Sequence, residues 1–336
     1  MRALLRLASR SAADIAALVI LKLAVGLLSI LPESILRGLA KTGGRVVYAT
    51  SRSRRRIAMR NVEIAFRDGL TPDARRTLVR SSFQHFALGV VGFALRRRFA
   101  RARRLAAFFE ISPAAESLLS APSPHGLAFL SAHVGDWEMA HLYLALRGIP
   151  VSVVTREVAS RPLDGELSRL RAVAGAKTIS KRGAMAGLRA SLRAGDAVGL
   201  LADQNCPTRE RFFPFLGVPA STYTRHARLL VRLGARVVFV TCLREGLSFR
   251  YRLVLEELES GSREAAATEE GRRAVDARAD ELVRRYLAVV ERLVVESPEQ
   301  YLWMHRRWKS RPTGAPWLYH DLGKPLDLRL LEAGAA

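Results

Sequence analysis

The sequence predicts an α/β fold, in which a mixed and largely parallel sheet is flanked by helices and preceded by an N-terminal membrane-anchoring helix. Three observations support this prediction. Apolar runs of strand length alternate with helical patterns from Gly126 onward, residues 264–296 form a long charged helix with an apolar stripe, and a nearly uncharged apolar run occupies residues 15–31. Alternation of this kind is typical of a sheet whose strands are joined by crossover helices.

The first predicted element is the apolar run from Ile15 to Leu31, which carries one charge, at Lys22. Its length of about seventeen residues is near the lower limit for a spanning helix, which needs roughly 20. Pro32 and Glu33 follow where a cleavage site would have small residues, so a cleaved signal peptide is not expected. The run is therefore predicted to anchor the chain, either across the membrane or in its interface, and the alternative is a buried core helix.

Charge is distributed very unevenly. The chain has 54 basic and 31 acidic residues, a net charge of +23, and arginines crowd the helical region predicted at 54–109. Such a region attracts polyanions, whether nucleic acid, anionic lipid or an acidic carrier protein. We do not expect a nucleic-acid partner, because no recognition motif is present and the apolar run would be unexplained. By the positive-inside rule, basic residues after that run keep the bulk of the chain cytoplasmic.

The remaining elements follow Gly126. Strands are predicted at 127–132, 151–155, 197–202, 236–242 and 249–256, and helices at 138–147, 162–174, 183–194 and 222–233. The last two strands are joined through Glu245-Gly246, which predicts an antiparallel extension of the sheet. Metal and nucleotide signatures are absent from the sequence: the two cysteines have no zinc-ligand spacing, and there is no Walker-type loop or dinucleotide fingerprint. No metal and no bound cofactor are therefore expected.

One short segment, His133-Val134-Gly135-Asp136-Trp137-Glu138, lies between a predicted strand and a predicted helix. A histidine at the carboxyl end of a parallel strand usually faces a crevice. A carboxylate one helical turn later can bond the imidazole and fix its tautomer, so Glu138 is predicted to orient His133, with Asp136 as the weaker candidate. Because no G-x-S-x-G elbow supplies a nucleophile, we predict that His133 activates a hydroxyl of the substrate as a general base. The alternative is a purely structural histidine.

Six segments along the chain are informative when they are considered together and in order. They are the apolar run, RNVEIAF at 60–66, SAHVGDWE at 131–138, LADQ at 201–204, FPFLGVPA at 213–220 and PEQYLWMHRRWK at 298–309. Together they span roughly residues 15–312, and they resemble the bacterial late (lauroyl/myristoyl) acyltransferases of lipid A biosynthesis, within the lysophospholipid acyltransferase-like superfamily. In that family His133 matches the catalytic base and Glu138 its acidic partner.

The resemblance implies a membrane-associated O-acyltransferase at the cytoplasmic face of the bacterial inner membrane. It would move a fatty acyl chain from acyl-carrier protein to a hydroxyl of an anionic lipid A precursor, with no cofactor. The alternative is acylation of a lysophospholipid or another glycolipid, from acyl-carrier protein or acyl-CoA. The carrier protein is expected to dock on the arginine cluster at 96–104.

Further residues are predicted to bind substrate: Arg156, Arg171, Asp203, Gln204 and Trp137. The two arginines suit anionic headgroups, because a guanidinium forms two parallel hydrogen bonds with a phosphate, although either could be a solvated surface residue. Asp203 could orient an arginine, bond a sugar hydroxyl or cap a turn. The aromatic segment 212–219 is expected to line an acyl groove or enter the bilayer, with a core position as the alternative. Residues 301–309 suit headgroup level, and substrate binding and packing under the site both stay open.

These predictions divide the chain into three parts. Residues 1–44 form the anchor. Residues 45–316 form the acyltransferase domain, with an Arg-rich helical part at 45–110 and an α/β catalytic part at 126–312. Residues 317–336 form a C-terminal tail.

Overall fold

In a computed structural model, which describes residues 2–101, 105–149, 151–262 and 268–332, the chain alternates helices with strands. The helices are α1 (Arg2–Ile30), α2 (Glu33–Thr50), α3 (Arg52–Phe66), α4 (Pro72–Ala94), α5 (Arg96–Arg101), α6 (Pro113–Ser120), α7 (Trp137–Leu146), α8 (Arg161–Arg171), α9 (Ala184–Arg193), α10 (Arg225–Leu233), α11 (Glu269–Glu296) and α12 (Arg329–Glu332). The strands are β1 (Phe109–Glu110), β2 (Leu127–Ser131), β3 (Val151–Thr155), β4 (Lys177–Ser180), β5 (Ala197–Leu201), β6 (Arg211–Phe215), β7 (Val218–Thr222), β8 (Arg236–Arg244) and β9 (Tyr251–Glu259).

The main sheet of the described residues has the strand order β1-β9-β8-β2-β5-β3-β4. Strands β8, β2, β5, β3 and β4 run parallel to one another. Strand β9 is antiparallel to β8, and β1 is parallel to β9. This topology confirms the predicted α/β class with a mixed, largely parallel sheet, and also the antiparallel extension. The parallel strands end at one edge, and the candidate site lies there.

All five predicted strands are present, and the described residues form four further strands that were not predicted. Strand β4 begins with Lys177 and is half exposed, so it lacks an apolar run. Strand β1 has only two residues and lies at Phe109, where the sequence predicted a helix to end. Neither strand carries a periodicity long enough to be recognised from sequence.

Apolar side chains cover both faces of the sheet. One core cluster joins the sheet to α3, α10 and α11, and it includes Val62, Leu230 and Leu282. The other joins it to α2, the C-terminal half of α4 and α7, and it includes Leu36 and Leu88. Helices of the Arg-rich region therefore pack directly against the sheet.

The part of helix α1 from residue 13 to residue 30 is apolar and exposed. Its window Ala13–Ile30 has a mean hydropathy of 2.2 and none of it is buried, so length and composition allow it to cross a membrane. It is therefore not a buried core helix. Lys22, the charge within it, lies 3.9 Å from Glu166 of α8, which directs the cation toward the protein. Large apolar side chains of α2 and α4 are exposed as well, including Leu39, Phe86 and Val90.

The aromatic segment at 212–219 belongs to the core. Strands β6 and β7 pair as a hairpin, and Phe213 and Phe215 are 5% and 0% exposed. The Phe215 ring packs against Tyr301 and Trp308. The predicted acyl-groove or membrane role is therefore wrong for these two rings, because hairpin pairing turns alternate residues inward.

Residues 301–309 pack beneath the site. Trp303 and Trp308 are fully buried. Arg307 is 1% exposed, and it donates hydrogen bonds to the Ser221 carbonyl and to Oγ1 of Thr222. The predicted headgroup-level position is therefore wrong for these three side chains, since all are buried and Arg307 and Trp308 support the β6–β7 hairpin from inside.

Candidate active site

The site is built on the turn between β2 and α7. Gly135 adopts a left-handed backbone with φ of 69°, and a Cβ atom there would lie 2.3 Å from the Cys242 carbonyl oxygen of β8. The same carbonyl accepts a hydrogen bond from the Asp136 N–H at 2.7 Å, and the Gly135 N–H donates to the Gln300 carbonyl at 3.0 Å. Glycine is thus required where the turn presses against the end of β8.

His133 is held by Asp203. The His133 Nδ1 atom lies 2.8 Å from Oδ1 of Asp203, and the His133 backbone N–H donates to Oδ2 of the same carboxylate at 3.0 Å. Strands β2 and β5 are adjacent, with Ser131 beside Leu201, so the residues that follow them meet at the sheet edge. This pair fixes a proton on Nδ1 and leaves Nε2 as the basic nitrogen.

Asp203 is almost fully buried, at 1% exposure. Burial opposes its ionisation, but the charge and the hydrogen bonds of His133 outweigh burial and hold the pKa of the carboxyl below its ordinary value. A buried carboxylate beside an imidazole stabilises the imidazolium that forms when the ring takes up a proton. The Asp203–His133 pair therefore has the arrangement of a general base.

Glu138 does not orient His133, which corrects the prediction from sequence. Its Oε1 accepts hydrogen bonds from Nε and Nη2 of Arg171 at 3.0 and 2.9 Å, and its Oε2 accepts one from Nη1 of Arg96 at 3.1 Å. Glu138 lies five positions after His133 and has entered α7, so its side chain points to α5 and α8. The Glu138 carboxylate, which the sequence assigns to the His133 imidazole, is therefore bonded to two guanidinium groups instead.

Asp136 has a structural role instead. Its Oδ1 caps α7 by accepting the Met139 N–H at 3.2 Å, and its Oδ2 accepts hydrogen bonds from Arg244 at 2.6 Å and Tyr251 at 3.3 Å. This buried network ties the start of α7 to β8 and β9, and it keeps Asp136 away from the reacting face of His133.

The basic nitrogen of His133 faces Gln204 and Trp137. The Gln204 amide nitrogen lies 3.2 Å from Nε2 of His133, and the Trp137 ring meets the imidazole edge-on at a centroid distance of 4.8 Å. Three of the predicted substrate-binding residues, Asp203, Gln204 and Trp137, therefore surround the predicted base.

A cavity of about 270 Å³ opens at His133, and we call it the His133 cavity. It extends between the sheet and α7, and its inner end is lined by buried apolar side chains. Those side chains are Phe129, Leu144, Val151 and Val240. Arg156, which follows β3, lines the same cavity and is exposed, so it lies on the rim where the sequence predicted it.

A second cavity of about 340 Å³ lies between α4 and the turn, and we call it the α4 cavity. Its α4 wall consists of Ser82, His85, Phe86, Gly89, Val90 and Phe93. Trp137, Glu138 and Arg171 line both cavities. These three residues thus form a partition between them, and Arg171 lies in it with much of its guanidinium bonded to Glu138.

The arginines of the cluster at 96–104 differ in their exposure. Arg96 is completely buried, and Arg98 donates a hydrogen bond to the Leu31 carbonyl. Arg97, Arg98 and Arg101 are exposed, and residues 102–104 lie outside the described residues. Arg96 is therefore unavailable to a docking partner.

Sequence reasoning missed the residues that surround Glu138 and Asp203. His141, one turn after Trp137, lies 3.3 Å from Nη2 of Arg96, and burial together with Arg96 and Arg171 lowers its pKa to about 3. His305 accepts the Asn205 backbone N–H at 3.1 Å, and its pKa falls to about 4, mainly through burial. Both rings are neutral hydrogen-bond partners, and neither shows a sequence spacing that marks it.

Within the described part of the chain, no group of three or more His, Cys, Asp or Glu side chains has the arrangement of a metal site.

Comparison with known proteins gives a family match and three relatives. The family model described as bacterial lipid A biosynthesis acyltransferase matches residues 8–310. A lipid A biosynthesis palmitoleoyltransferase of Escherichia coli (strain K12) and a lipid A biosynthesis acyltransferase of Shigella flexneri are each 25% identical over 294 residues. A lipid A biosynthesis lauroyltransferase of Escherichia coli (strain K12) is 23% identical over 304 residues. Each alignment covers 86% of this chain and 90% of the relative.

Proposed function

We propose that this chain, which belongs to the bacterial lipid A biosynthesis acyltransferase family, transfers a fatty acyl chain from acyl-carrier protein to a hydroxyl of a lipid A precursor. The observation that carries the proposal is the pairing of His133 with a buried Asp203, at a cavity that His133 and buried apolar side chains line together. Acyl transfer in lipid A biosynthesis is the family's activity. The use of acyl-carrier protein as donor, the catalytic mechanism and the contact with the membrane are proposals.

In the proposed reaction His133 is the general base. Its Nε2 takes the proton of the acceptor hydroxyl while the oxygen attacks the thioester carbonyl carbon, and a tetrahedral intermediate forms. The intermediate collapses with cleavage of the C–S bond, and the imidazolium returns its proton to the leaving thiolate. Asp203 holds the proton on Nδ1 and stabilises the imidazolium. All atoms balance without a covalent enzyme intermediate or a cofactor.

Gln204 has two successive roles in this mechanism. Without substrate its amide lies 3.2 Å from Nε2 of His133, where it donates to the lone pair that the base must use. An entering hydroxyl displaces this amide, and its N–H groups then become available to the developing oxyanion of the thioester. A preorganised donor of that kind is worth on the order of 100- to 1,000-fold in turnover.

The donor acyl chain is assigned to the His133 cavity. Its lining includes Leu144, Val151 and Val240, which are each 3% exposed or less. A cavity lined by buried apolar side chains suits a hydrocarbon chain, since each buried methylene contributes about 0.8 kcal/mol. The thioester carbonyl then lies at the mouth, beside His133.

The acceptor's anionic groups are assigned to Arg156 and, in part, to Arg171. Arg156 is exposed on the rim and free to approach a phosphate. Arg171 reaches the junction of the two cavities. Its Nε and one Nη already donate hydrogen bonds to Glu138, so fewer of its N–H groups are available to a headgroup. Arg156 is therefore the principal headgroup ligand.

Helix α1 is proposed to anchor the enzyme in the inner membrane, with the sheet on the cytoplasmic side. The exposed apolar side chains of α1 continue onto α2 and α4, which supports a surface that contacts lipid. An acceptor lipid would reach the site from this surface without leaving the membrane.

The carrier protein is proposed to dock on the exposed arginines of α5. Charge reversal at Arg97 and Arg101 should raise the apparent KM for acyl-carrier protein and flatten its salt dependence, with kcat unchanged, because steering by exposed charges is screened by salt. Arg232→Glu also reverses an exposed arginine charge, but on α10, which packs on the other face of the sheet. We expect it to leave the KM for acyl-carrier protein unaltered. Equal effects at both places would remove α5 as the docking surface.

The proposed function is tested by supplying membranes that contain the protein with acyl-carrier-protein thioesters and a lipid A precursor. We expect acylated precursor from the wild type and a loss of 100- to 10,000-fold, in order of magnitude, for His133→Ala. Product from acyl-CoA but not from the carrier thioester would replace the donor. Product from lysophospholipid but not from the precursor would replace the acceptor.

A further inference from the structure

The α4 cavity differs from the His133 cavity in where it opens. Phe86 and Val90 line it, and both are also exposed, at 41% and 54%. They belong to the apolar surface that α4 shares with α1 and α2. Leu167 of α8 closes the side near α1, which packs on α8. The α4 cavity is thus continuous with the surface that we assign to the membrane, whereas the His133 cavity is lined by core side chains such as Leu144 and Val151.

The charged groups that line the α4 cavity are paired with one another, Arg244 with Asp136 and Arg171 with Glu138. Arg244 donates to Asp136 at 2.6 Å and to the Tyr251 hydroxyl at 3.0 Å. Burial and the nearby Arg244 lower the pKa of His85 to about 4, so that ring is neutral at physiological pH. The wall therefore presents little net charge to an occupant, and the rest of the α4 wall is largely apolar or small. A hydrocarbon chain fits this lining better than a headgroup does.

The partition brings the two cavities together at the reacting atoms. The Trp137 ring lies in edge-on contact with the His133 imidazole, and it lines both cavities. A chain in the α4 cavity and a chain in the His133 cavity would therefore approach the base from opposite sides of one indole ring. A transfer reaction between two lipid-like substrates needs this separation, because either chain could otherwise occupy the other's site.

We infer that the α4 cavity binds a hydrocarbon chain of the acceptor lipid, while the donor chain occupies the His133 cavity. The inference rests on the proposed function and adds a second lipid site to it. The acceptor chain enters from the membrane between α4 and α8 and ends its path at the Trp137–Glu138–Arg171 partition. The acceptor hydroxyl then lies beside Trp137, within reach of Nε2 of His133.

Gly89 offers a direct way to fill the α4 cavity. It lies on the α4 wall, and a Cβ atom there would meet only Oδ2 of Asp136, at 3.9 Å. Alanine therefore fits at ordinary contact distance, and the additional carbons of leucine must occupy the cavity. Gly89→Ala is the matched control, since it makes the same change in helix propensity class and leaves most of the space open.

The kinetic test compares these two variants in detergent-solubilised full-length protein, with acyl-carrier-protein thioester and lipid A precursor as substrates. Gly89→Leu should raise the KM for the precursor on the order of tenfold, the equivalent of about two buried methylenes, and leave the KM for the carrier thioester within twofold. Gly89→Ala should resemble the wild type. Leu144→Phe, which adds volume at the inner end of the His133 cavity, should shift donor preference to shorter chains and leave the precursor KM unchanged.

A second readout locates the chain without turnover. A lipid A precursor with a diazirine at the end of one acyl chain is photolysed with each protein, and the labelled peptides are identified by mass spectrometry. Labels in residues 82–93 or 300–302 that are lost in Gly89→Leu support the inference. Labels in β2, β3 or β5, which line the His133 cavity and not the α4 cavity, would overturn it, as would an unchanged precursor KM in a folded Gly89→Leu protein that still makes product. If the wild type labels but makes no product from the precursor, the proposed function fails while the lipid site stands.

Discussion

At the scale of single residues, the site depends on which carboxylate serves which cation. Asp203 is bonded to His133, and Glu138 is bonded to Arg96 and Arg171. The two carboxylates therefore have different roles: Asp203 fixes the tautomer of His133, and Glu138 is the shared counter-ion of two arginines. Arg96 is completely buried, so it needs Glu138 as its counter-charge.

Replacement of Glu138 by Gln should therefore act mainly on stability. Breaking a buried ion pair by removing one partner leaves an uncompensated charge, and we expect the free energy of unfolding to fall by about 3 kcal/mol. Urea unfolding in detergent measures this loss. Glu281→Gln removes the partner of two exposed arginines on α11 and should change stability little. Similar small losses in both variants would contradict the role given to Glu138.

At the scale of elements, contacts between the β2–α7 turn and β8 fix the position of His133. The Cys242 carbonyl at the end of β8 accepts the Asp136 N–H, and the His133 carbonyl accepts the Leu302 N–H at 2.9 Å. Strand, helix start and the 300–302 segment thus hold His133 from three sides. A base held this way keeps its geometry without help from the substrate.

Gly135→Ala should disrupt that arrangement. The new Cβ would lie 2.3 Å from the Cys242 carbonyl oxygen, so the turn must move, and a displacement of about 1 Å at the base costs on the order of 100-fold in rate. Gly148→Ala is the control, because Gly148 has a similar φ of 74° but open space around its Cβ position. It should lose about 1–2 kcal/mol of stability and keep its activity. Steady-state turnover and thermal unfolding distinguish the two, and full activity in Gly135→Ala would contradict the tight turn.

At the scale of the whole molecule, buried neutral histidines make stability depend on pH. Burial lowers the pKa of His85, His226 and His305 to about 4 and that of His141 to about 3. In the unfolded chain the same rings titrate near 6.5. Between these values the unfolded state binds more protons than the folded state, so stability falls as pH decreases from 6.5 toward 4.

We therefore expect the melting temperature to decrease steadily between pH 7.5 and pH 5. Each of the four rings adds a slope of up to about 1.4 kcal/mol per pH unit in that window. His226→Gln removes one titrating ring far from the site and should make the decline shallower. A melting temperature that stays constant or rises on acidification would contradict the neutral state of these rings.

Much of this architecture is predictable from the sequence, and the exceptions share one cause. The five main strands, the exposed apolar helix and the position of His133 follow from local patterns. The partner of His133 does not, because Asp203 is 70 residues away and becomes its neighbour only through the pairing of β2 with β5. Asp203 follows a predicted strand, but without the strand order the sequence favoured Glu138, a carboxylate in the same short segment as His133.

The same limitation explains the aromatic residues at 213 and 215. Their composition suits a membrane loop as well as a core, and only the pairing of β6 with β7 shows that they turn inward. The partners of Glu138 are equally non-local, since Arg96 lies 42 residues before it. Long-range contacts between charged residues leave no periodicity in the sequence.

The central claim is that Asp203, and not Glu138, sets the tautomer of the catalytic base, and turnover of two isosteric variants tests it most directly. In Asp203→Asn an amide replaces the acceptor at Nδ1 and favours the tautomer with its proton on Nε2, so kcat should fall on the order of 10,000-fold in folded protein. Glu138→Gln leaves the His133–Asp203 pair intact, and its folded fraction should keep kcat within about tenfold of the wild type. A near-normal kcat in Asp203→Asn, together with a loss in Glu138→Gln as large as that of His133→Ala, would contradict the account.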